Sequence, residues 1–428
     1  MTPHQHQRKE FIYFAFLLVL LFGLTLLSQM TIYPLLTSLN IKFPNTYYQP
    51  GQIFFLDIKE YQEMAHSFLA QKSFRYEGQL TTMRPPIYPL FLAIIYGFKG
   101  NHSHVIAIQQ CLGAFCSIFT YLITWKIIQN QKIAFLSALI TAVYIPFQMM
   151  AFSLLADMLF AFLLMGSILL LCFMFQNRES KMLPVLLGLF MAITTLTRPV
   201  TLFLPFVLYL FCLKPKKIFS FHLIHLCTLS FLICLSPWII RNYAVTGRII
   251  MVASAGAYNL WQGSFYSSVV YAESAGEYDP EFKQNKNRLS GNDYYIDYQA
   301  EPRFLKAALK RIFDDPLAYT RFCIERLLRV YTAFPGTRDW VIEKRWKPYI
   351  LLSIIQVSLW LLAGIGLYKI KTTDYFFLFL LLFIYQFSFN AAFNLISRYV
   401  LPWLPLTFVF TSIGIHQIAL NLFKSKNS

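Results

Sequence analysis

The chain has 428 residues, of which 57% are apolar, 18% are aromatic and only 13% are charged. So little charge cannot cover the surface of a water-soluble domain, which excludes an ordinary soluble enzyme or binding module. The formal net charge of +17 could suit nucleic acid, but much of it lies in short clusters between apolar runs, as cytoplasmic lysines and arginines of membrane proteins do. We therefore predict a polytopic membrane protein that meets lipid phosphates and no nucleic acid.

Ten apolar runs can cross a membrane, which predicts an all-α fold of about ten transmembrane helices. The first run follows Arg8 and Lys9 but lacks a small-residue cleavage site, so we interpret it as a retained helix and not a signal peptide. The runs around Leu183 and Thr201 are short and need flanking residues or a thinner local bilayer. The predicted spans are 11–30, 105–128, 133–151, 158–175, 183–196, 201–213, 219–239, 349–368, 375–395 and 399–423.

The apolar segment 86–98 is shorter than these spans and contains Pro89, which favours an interfacial or re-entrant segment. If it does not cross, all short basic clusters lie on one side of the membrane, as the positive-inside rule requires. If it crosses, the clusters after it move to the other side and the rule is broken five times. The clusters are Arg8/Lys9, Lys126/Lys132, Arg178/Lys181, Lys214/Lys216/Lys217, Lys369/Lys371 and Lys424/Lys426.

The same topology gathers a second set of charged residues on the opposite, outer face, although none of them entered the parity argument. Their common side predicts one extracytoplasmic site, formed by a first outer loop over about 37–104 and a large outer loop over about 241–348. With neither an internal repeat nor a low-complexity linker, we expect a single domain over 1–428. The outer charged residues are Asp57, Arg84, Asp157, Arg198, Arg241 and Arg398.

Amphipathic juxtamembrane helices are predicted in both outer loops. In the large loop, Asp315 is a suitable N-cap for a helix whose first residue is Pro316. A charged stripe at four-residue spacing then opposes an apolar face, so we expect this helix to lie along the membrane surface. The helix after Asp57 is expected to lie there too, and its apolar face carries Tyr61, Met64, Ala65, Phe68 and Leu69.

Two acidic residues are candidates for chemistry. Asp57 would lie near the headgroups, where a carboxylate can take a proton, although it could also cap the helix that begins there, with Glu60 completing a capping-box-like pair. Asp157 interrupts an apolar stretch, where a charge costs roughly 2.5 to 3.5 kcal/mol on insertion scales. Asp157 could alternatively cap the span that follows.

Arginines at the outer ends of several helices indicate an anionic ligand. Arg84 precedes two prolines, which force an extended backbone and hold the guanidinium at a fixed depth suited to bidentate phosphate binding. Arg198, Arg241 and Arg398 lie at the outer ends of other spans. Each alone could be an interfacial arginine with its stem in lipid, but four together favour a phosphate site.

Metal and cofactor signals are weak. His222 and His225 lie one helical turn apart without an evident third ligand, so interfacial packing explains them better than metal binding. We predict no cofactor with certainty; a divalent metal stays possible. The absence of a Gly-rich phosphate loop favours a lipid-linked sugar donor over a nucleotide sugar.

A set of motifs, in order across most of the chain, resembles the polyprenyl-phosphate-dependent glycosyltransferases of the GT-C fold. The resemblance is to bacterial glycosyltransferase family 39 and the related protein O-mannosyltransferases and aminoarabinose transferases. The motifs are Asp57-x-x-x-Tyr61-x-x-x-Ala65, Arg84-Pro-Pro-Ile-Tyr88-Pro-Leu-Phe-Leu-Ala93, Asp157-Met-Leu, Leu196-Thr-Arg198-Pro199, Pro237-Trp-Ile-Ile-Arg241-Asn-Tyr243, Asn259-Leu-Trp-Gln-Gly263 and Arg398-Tyr399-Val-Leu-Pro402.

The resemblance implies that Asp57 is the catalytic acidic residue of the first outer loop and that Asp157 is the acidic residue of the second. The family's paired Asp-Glu pattern is not kept, since Ile58 follows Asp57, so Glu60 is a less direct third candidate. The resemblance also implies a bacterial cytoplasmic (inner) membrane enzyme whose site faces the periplasm or exterior. The enzyme would move a sugar from a polyprenyl-phosphate donor to an envelope lipid, glycan or protein. Membrane lipids would surround the enzyme. We expect no separate C-terminal soluble domain.

The implied mechanism needs one base, because a lipid phosphate is already a good leaving group when cations stabilise its charge. We expect an inverting displacement with Asp57 as the base and Asp157 orienting the acceptor. The predicted phosphate ligands are Arg84, Arg241, Arg398 and Arg198, and the predicted substrate contacts are Tyr61, Tyr88 and Tyr399. Two alternatives are a transporter or flippase of a lipid-linked sugar, which predicts polar residues along a path through the bilayer, and a non-catalytic scaffold.

Overall fold

The computed structural model describes residues 3–38, 53–212, 221–266, 279–290, 298–332, 346–393 and 397–426, which form helices and one short hairpin. The hairpin pairs β1 (Arg75–Tyr76) with β2 (Gln79–Leu80), antiparallel. In chain order the helices are α1 (Pro3–Ser38), α2 (Ile53–Gln71), α3 (Ile87–Gly97), α4 (His102–Ile128), α5 (Gln131–Val143), α6 (Ile145–Met149), α7 (Asp157–Gln176), α8 (Met182–Thr195), α9 (Leu204–Cys212), α10 (Phe221–Thr246), α11 (Gly256–Gly263), α12 (Pro280–Ser290), α13 (Glu301–Asp314), α14 (Pro316–Thr332), α15 (Trp346–Lys369), α16 (Asp374–Ala392), α17 (Ser397–Val400) and α18 (Leu404–Lys426).

Every predicted span carries a helix. Among the described residues, seven helices are long and apolar enough to cross a membrane: α1, α4, α7, α10, α15, α16 and the continuous stretch Arg398–Phe423 formed by α17 and α18. An eighth crossing would be α5 with Ile145–Phe152, a pair bent by 55°. The other two runs are α8 and α9, the two that their sequences already mark as short. The predicted all-α polytopic membrane fold is confirmed.

The predicted dip is α3, a helix of 11 residues that follows Pro86. A helix needs about 20 residues to cross a bilayer, so α3 is too short to do so alone. One face of α3 packs against α2 through Tyr88 and Leu92, which are fully buried. The opposite face leaves Ile94 and Phe98 exposed, which suits contact with lipid.

Helix α2 corrects two expectations. It begins at Ile53, so Asp57 lies in its second turn and does not cap it. The apolar residues that precede Asp57 extend the helix towards the N-terminus. Its apolar face is covered by protein and does not lie on the membrane surface, because Tyr61, Met64 and Ala65 are buried against α3 and the helical core.

Helix α14 begins where its sequence predicts. The Asp315 carboxylate accepts a hydrogen bond from the backbone N–H of Ala318 over 2.9 Å, which confirms this residue as the N-cap. Leu327 and Tyr331, on the predicted apolar face, pack against the spans, while Ile324 stays exposed.

Glycines let two of the spans approach closely. A Cβ atom on Gly366 of α15 would lie 1.9 Å from the carbonyl O of Phe410, and one on Gly414 of α18 would lie 2.0 Å from that of Leu362. Real Cβ atoms cannot come so near to a carbonyl oxygen. The close approach of α15 and α18 therefore requires glycine at positions 366 and 414.

Candidate active site

Three carboxylates converge at one end of the helical bundle. Asp57 and Glu60 project from the same face of α2 because a spacing of three residues is almost one helical turn. Asp157 is the first residue of α7. All three are buried, so each requires a charged or hydrogen-bonding partner.

Arg84 joins the two carboxylates of α2. One of its Nη atoms donates to Asp57 Oδ1, and its Nε atom donates to Glu60 Oε2. The guanidinium also lies 5.7 Å from the centre of the Tyr61 ring. The segment of Arg84, Pro85 and Pro86 leads into α3, and its arginine side chain anchors it to α2.

Arg398 joins the two parts of the chain that carry acids. Its Nη2 atom donates to Asp57 Oδ2 over 2.9 Å, and its Nε atom lies 3.7 Å from Asp157 Oδ2. Arg398 belongs to the short helix α17, which leads into the last span. Asp57 is consequently held through both carboxylate oxygens, one by Arg84 and one by Arg398.

Arg198 completes the cluster from the other side. Its Nη1 atom donates to Asp157 Oδ1, and its guanidinium stacks on the Tyr399 ring at 4.5 Å from the ring centre. The same ring lies 5.4 Å from the Arg398 guanidinium. Tyr399, predicted as a substrate contact, is placed here as the aromatic support of two arginines.

The six charged side chains form a neutral network that is partly exposed. Three carboxylates balance three guanidinium groups, and the exposed fractions decide which of them a ligand meets first. Arg84, Arg198 and Asp57 are 21%, 17% and 12% exposed, whereas Glu60, Arg398 and Asp157 are 7%, 5% and 3% exposed. An anion approaching the site therefore reaches Arg84 and Arg198 before Arg398.

The two carboxylates of α2 have opposite proton affinities. Burial raises the pKa of Asp57, but the charges of Arg84 and Arg398 outweigh burial and hold this pKa below its ordinary value. Burial raises the pKa of Glu60 above its ordinary value, against the attraction of Arg84, and the charge of Asp57 adds to the rise. Asp57 is thus ionised near neutral pH, and Glu60 is the first of the pair to take a proton.

Tyr61 and Tyr88 lie behind the network. Their rings pack edge to face, with centres 4.9 Å apart, and both side chains are buried. Burial raises the pKa of Tyr61 to about 12, so it keeps its proton. The Tyr88 hydroxyl donates to Gln109 Oε1 over 3.0 Å. Substrate contact by these two tyrosines stays a prediction.

Arg241, which belongs to α10, contacts the hairpin that precedes Arg84. Its Nη1 atom donates to the carbonyl O of Thr81 over 2.7 Å, and its Nη2 atom donates to that of Phe74 over 3.2 Å. These carbonyls lie on either side of the β1–β2 hairpin, and the guanidinium also covers the Trp238 ring at 4.8 Å. Phosphate binding by Arg241 stays a prediction; its position supports the segment that leads to Arg84.

Sequence reasoning missed Gln109 and Arg326. Gln109 is a polar residue inside an apolar run, which is a signal that could have been used. Arg326 is almost fully buried and donates to the carbonyl oxygens of Ala391, Phe393 and Gly263. Burial lowers its pKa. Its signal was its place on the apolar face of α14, from which it ties the ends of α11 and α16 just before Arg398.

Within the described parts of the chain, no group of three or more His, Cys, Asp and Glu side chains could hold a metal ion. The Nδ1 atom of His225 lies 2.6 Å from the carbonyl O of Phe221 in its own helix.

Comparison with known proteins gives a family match over part of the chain. Residues 83–240 match the family model described as dolichyl-phosphate-mannose-protein mannosyltransferase. This range includes Arg84, Asp157 and Arg198. No curated protein matches the chain significantly.

Several solved structures are similar to this chain. The oligosaccharyltransferase AglB from Archaeoglobus fulgidus, in complex with an inhibitory peptide and a dolichol-phosphate, aligns with a TM-score of 0.55 and 12% identity over 97% of this chain and 52% of that one. The apo form of the Archaeoglobus fulgidus oligosaccharyltransferase gives a TM-score of 0.54, with 11% identity over 96% and 52% of the two chains. ArnT from Cupriavidus metallidurans, bound to undecaprenyl phosphate, gives 0.43, with 12% identity over 94% and 77%. The chain spans about half the length of the archaeal enzymes.

Proposed function

We propose that this membrane protein, which has the GT-C fold of lipid-dependent glycosyltransferases, transfers a sugar from a polyprenyl-phosphate donor to an envelope acceptor. The observation that carries the proposal is the placement of Asp57. Its carboxylate is kept ionised between Arg84 and Arg398 within a largely buried network. A base and its phosphate-binding cations are thus in direct contact.

The donor phosphate is proposed to bind at the more exposed arginines of the network. Arg84 and Arg198 are the more exposed guanidinium groups there, and a guanidinium binds phosphate through two parallel hydrogen bonds. Because the network is neutral as it stands, a phosphate must share these arginines with Asp57 and Asp157. Binding would draw Arg84 away from Asp57 and so increase the basicity of that carboxylate.

The reaction is proposed to be a single displacement. The acceptor hydroxyl or amine attacks the anomeric carbon while Asp57 takes its proton, and the bond from that carbon to the phosphate oxygen breaks. The lipid phosphate leaves with the electron pair, and the arginines stabilise the negative charge that develops on it. Attack opposite to the leaving group inverts the anomeric configuration. Asp157, fixed by Arg198 and beside Arg398, would orient the acceptor.

The acceptor is proposed to be a lipid, glycan or protein of the cell envelope, reached from the outer face of a bacterial cytoplasmic membrane. The positive-inside pattern supports this side for the network. A transporter of a lipid-linked sugar phosphate would instead need charged groups along a path through the spans. The six charged residues collect at one end of the bundle, which favours transfer over transport.

The test is donor turnover in detergent micelles. A purified chain is mixed with a polyprenyl-phosphate sugar and an envelope lipid or protein extract, and released polyprenyl phosphate is measured by mass spectrometry. A micelle does not separate two compartments, so a protein that only transports the donor would leave it chemically intact. Release by the wild type but not by Asp57→Asn is expected. An intact donor with every acceptor fraction would reject the enzyme and favour a transport assay in sealed vesicles.

A further inference from the structure

Gln109 uses both ends of its side-chain amide in a fully buried position of α4. Its Oε1 atom accepts from the Tyr88 hydroxyl over 3.0 Å. Its Nε2 atom donates to the carbonyl oxygens of Ala151 and Ser153 over 2.9 and 2.8 Å. Gln109, Tyr88 and Ala151 are all 0% exposed, so water cannot replace these bonds.

These three bonds connect the segments that carry the two carboxylates. On one side, Tyr88 packs edge to face on Tyr61, which lies one turn after Asp57 on α2. On the other side, Ser153 lies one turn of chain before Asp157 and also accepts from the backbone N–H of Leu155. A short path of contacts therefore runs from α2 through Gln109 to the start of α7.

A second connection between the carboxylates is Arg398, which lies between Asp57 and Asp157. A third is the apolar packing of Ile58 and Tyr61 with Leu154 and Leu155. The Arg398 connection is ionic, and a phosphate bound at Arg84 and Arg198 would add negative charge beside it. The connection through Gln109 is neutral and buried, so an anionic substrate does not compete for it.

We infer that Gln109 is a positioning residue, which keeps Asp57 and Asp157 at their working separation while the donor phosphate occupies the arginines. The inference rests on the proposed sugar transfer. A displacement of about 1 Å in a reacting group can cost on the order of 100-fold in rate. Loss of the Gln109 amide is thus expected to lower kcat more than it weakens donor binding.

The chain offers a matched control. Gln356 of α15 is also buried, and its Oε1 atom accepts from the hydroxyl of Tyr144, but neither residue touches the carboxylate-bearing segments through this bond. Gln109→Met and Tyr88→Phe remove one tyrosine–glutamine bond, while Gln356→Met and Tyr144→Phe remove the other. Both pairs remove a buried tyrosine–glutamine bond, and Gln109→Met also removes the two bonds to the carbonyl oxygens of Ala151 and Ser153.

Two measurements test the inference in the full-length protein in micelles. Steady-state kinetics should give about 10- to 100-fold lower kcat for Gln109→Met with an unchanged donor KM, and the Gln356→Met variant should keep its kcat. Tyr88→Phe should have no further effect in the Gln109→Met background, since its hydroxyl acts through that amide. Hydrogen exchange of a peptide covering 150–156 should be faster in Gln109→Met and unchanged in Gln356→Met.

An unchanged kcat would overturn the inference, even with faster exchange, because Gln109 would then be a structural residue. Unchanged exchange in 150–156 would overturn it as well. If Gln109→Met fails to insert, Tyr88→Phe alone carries both measurements. A wild type without any transfer would refute the proposed function, and the exchange data would still report whether the buried connection exists.

Discussion

Arg398 donates a hydrogen bond to Asp57 over 2.9 Å, although 341 positions separate the two residues. The same guanidinium lies 3.7 Å from Asp157, so one side chain near the last span joins both acidic loops. The charged motifs found at intervals along the sequence are therefore parts of one network. Its behaviour under substitution can be predicted from the contacts.

Asp57→Asn should reduce sugar transfer by about 100- to 10,000-fold, because the amide cannot take the acceptor proton. The measurement is release of polyprenyl phosphate by purified variants that insert normally. Glu63→Gln is the control, since Glu63 lies on the same helix and is bound to exposed Lys59. Transfer at the wild-type rate by Asp57→Asn would show that the base is another group.

Glu60 and Asp57 should affect stability in different pH ranges. Because burial and the charge of Asp57 raise the pKa of Glu60 above 4.5, the stability from Glu60 is full below that pH and is lost as pH rises through the folded value. The pKa of Asp57 is held below 3.8, so its contribution is present above that value and is lost only in stronger acid.

Thermal unfolding in micelles between about pH 5 and about pH 8 measures both effects. The stability of the wild type relative to Glu60→Gln should fall as pH rises. The difference from Asp57→Asn should fall less, since that variant keeps Glu60 and loses only the contribution of the Asp57 charge to its raised pKa. A constant difference for Glu60→Gln would contradict the raised pKa.

Arg241 and Arg84 should be coupled. Arg84→Gln is expected to raise the donor KM by about 10- to 100-fold, since a hydrogen bond to a charged group contributes about 1.5 to 3 kcal/mol. If Arg241 acts by holding Phe74 and Thr81, Arg241→Gln should raise KM in the wild type but add little to Arg84→Gln. Multiplied effects would instead support the predicted phosphate contact. Arg248→Gln, at an exposed arginine beyond the end of α10, is the control.

Gly366→Ala should destabilise the bundle by about 1 to 3 kcal/mol, because the new methyl group would meet the Phe410 carbonyl and push α15 from α18. Gly364→Ala is the matched control on the same helix, since a Cβ there meets nothing within 4 Å. Thermal unfolding in micelles compares the two. Equal stability of both variants would show that the helices cross elsewhere.

The sequence predicted the spans and the gathering of charged residues from hydropathy and charge alone. Both predictions succeed because each crossing of a bilayer by a helix requires a long apolar segment, and because short basic loops stay on the cytoplasmic side. Parity then determines the side of each residue. The all-α membrane fold predicted in this way is confirmed, and the GT-C resemblance, which rested on the motifs, is supported by the structural match and the family model.

Pairing within the network could not be predicted. Parity places Arg84, Arg198 and Arg398 on one side but contains no distances, so it does not tell that Arg84 binds two acids or that Arg241 binds a hairpin. The helix start before Asp57 was missed because the aspartate itself resembled a cap, while the preceding apolar residues are equally able to be helical. Buried polar partners such as Gln109 depend on tertiary packing, which single-sequence patterns do not contain.

The span of chain between Asp57 and Arg398 also bears on how the protein is made. Asp57 enters the membrane early in synthesis and Arg398 among the last segments, so for most of that time one carboxylate oxygen of Asp57 lacks its guanidinium. A buried charge without its partner is strongly destabilising. A chain interrupted before α17 would keep three carboxylates with only two guanidinium groups, so one negative charge of the network would lack its partner. The contact between Asp57 and Arg398, which is proposed to serve catalysis, therefore forms only after most of the chain has been made.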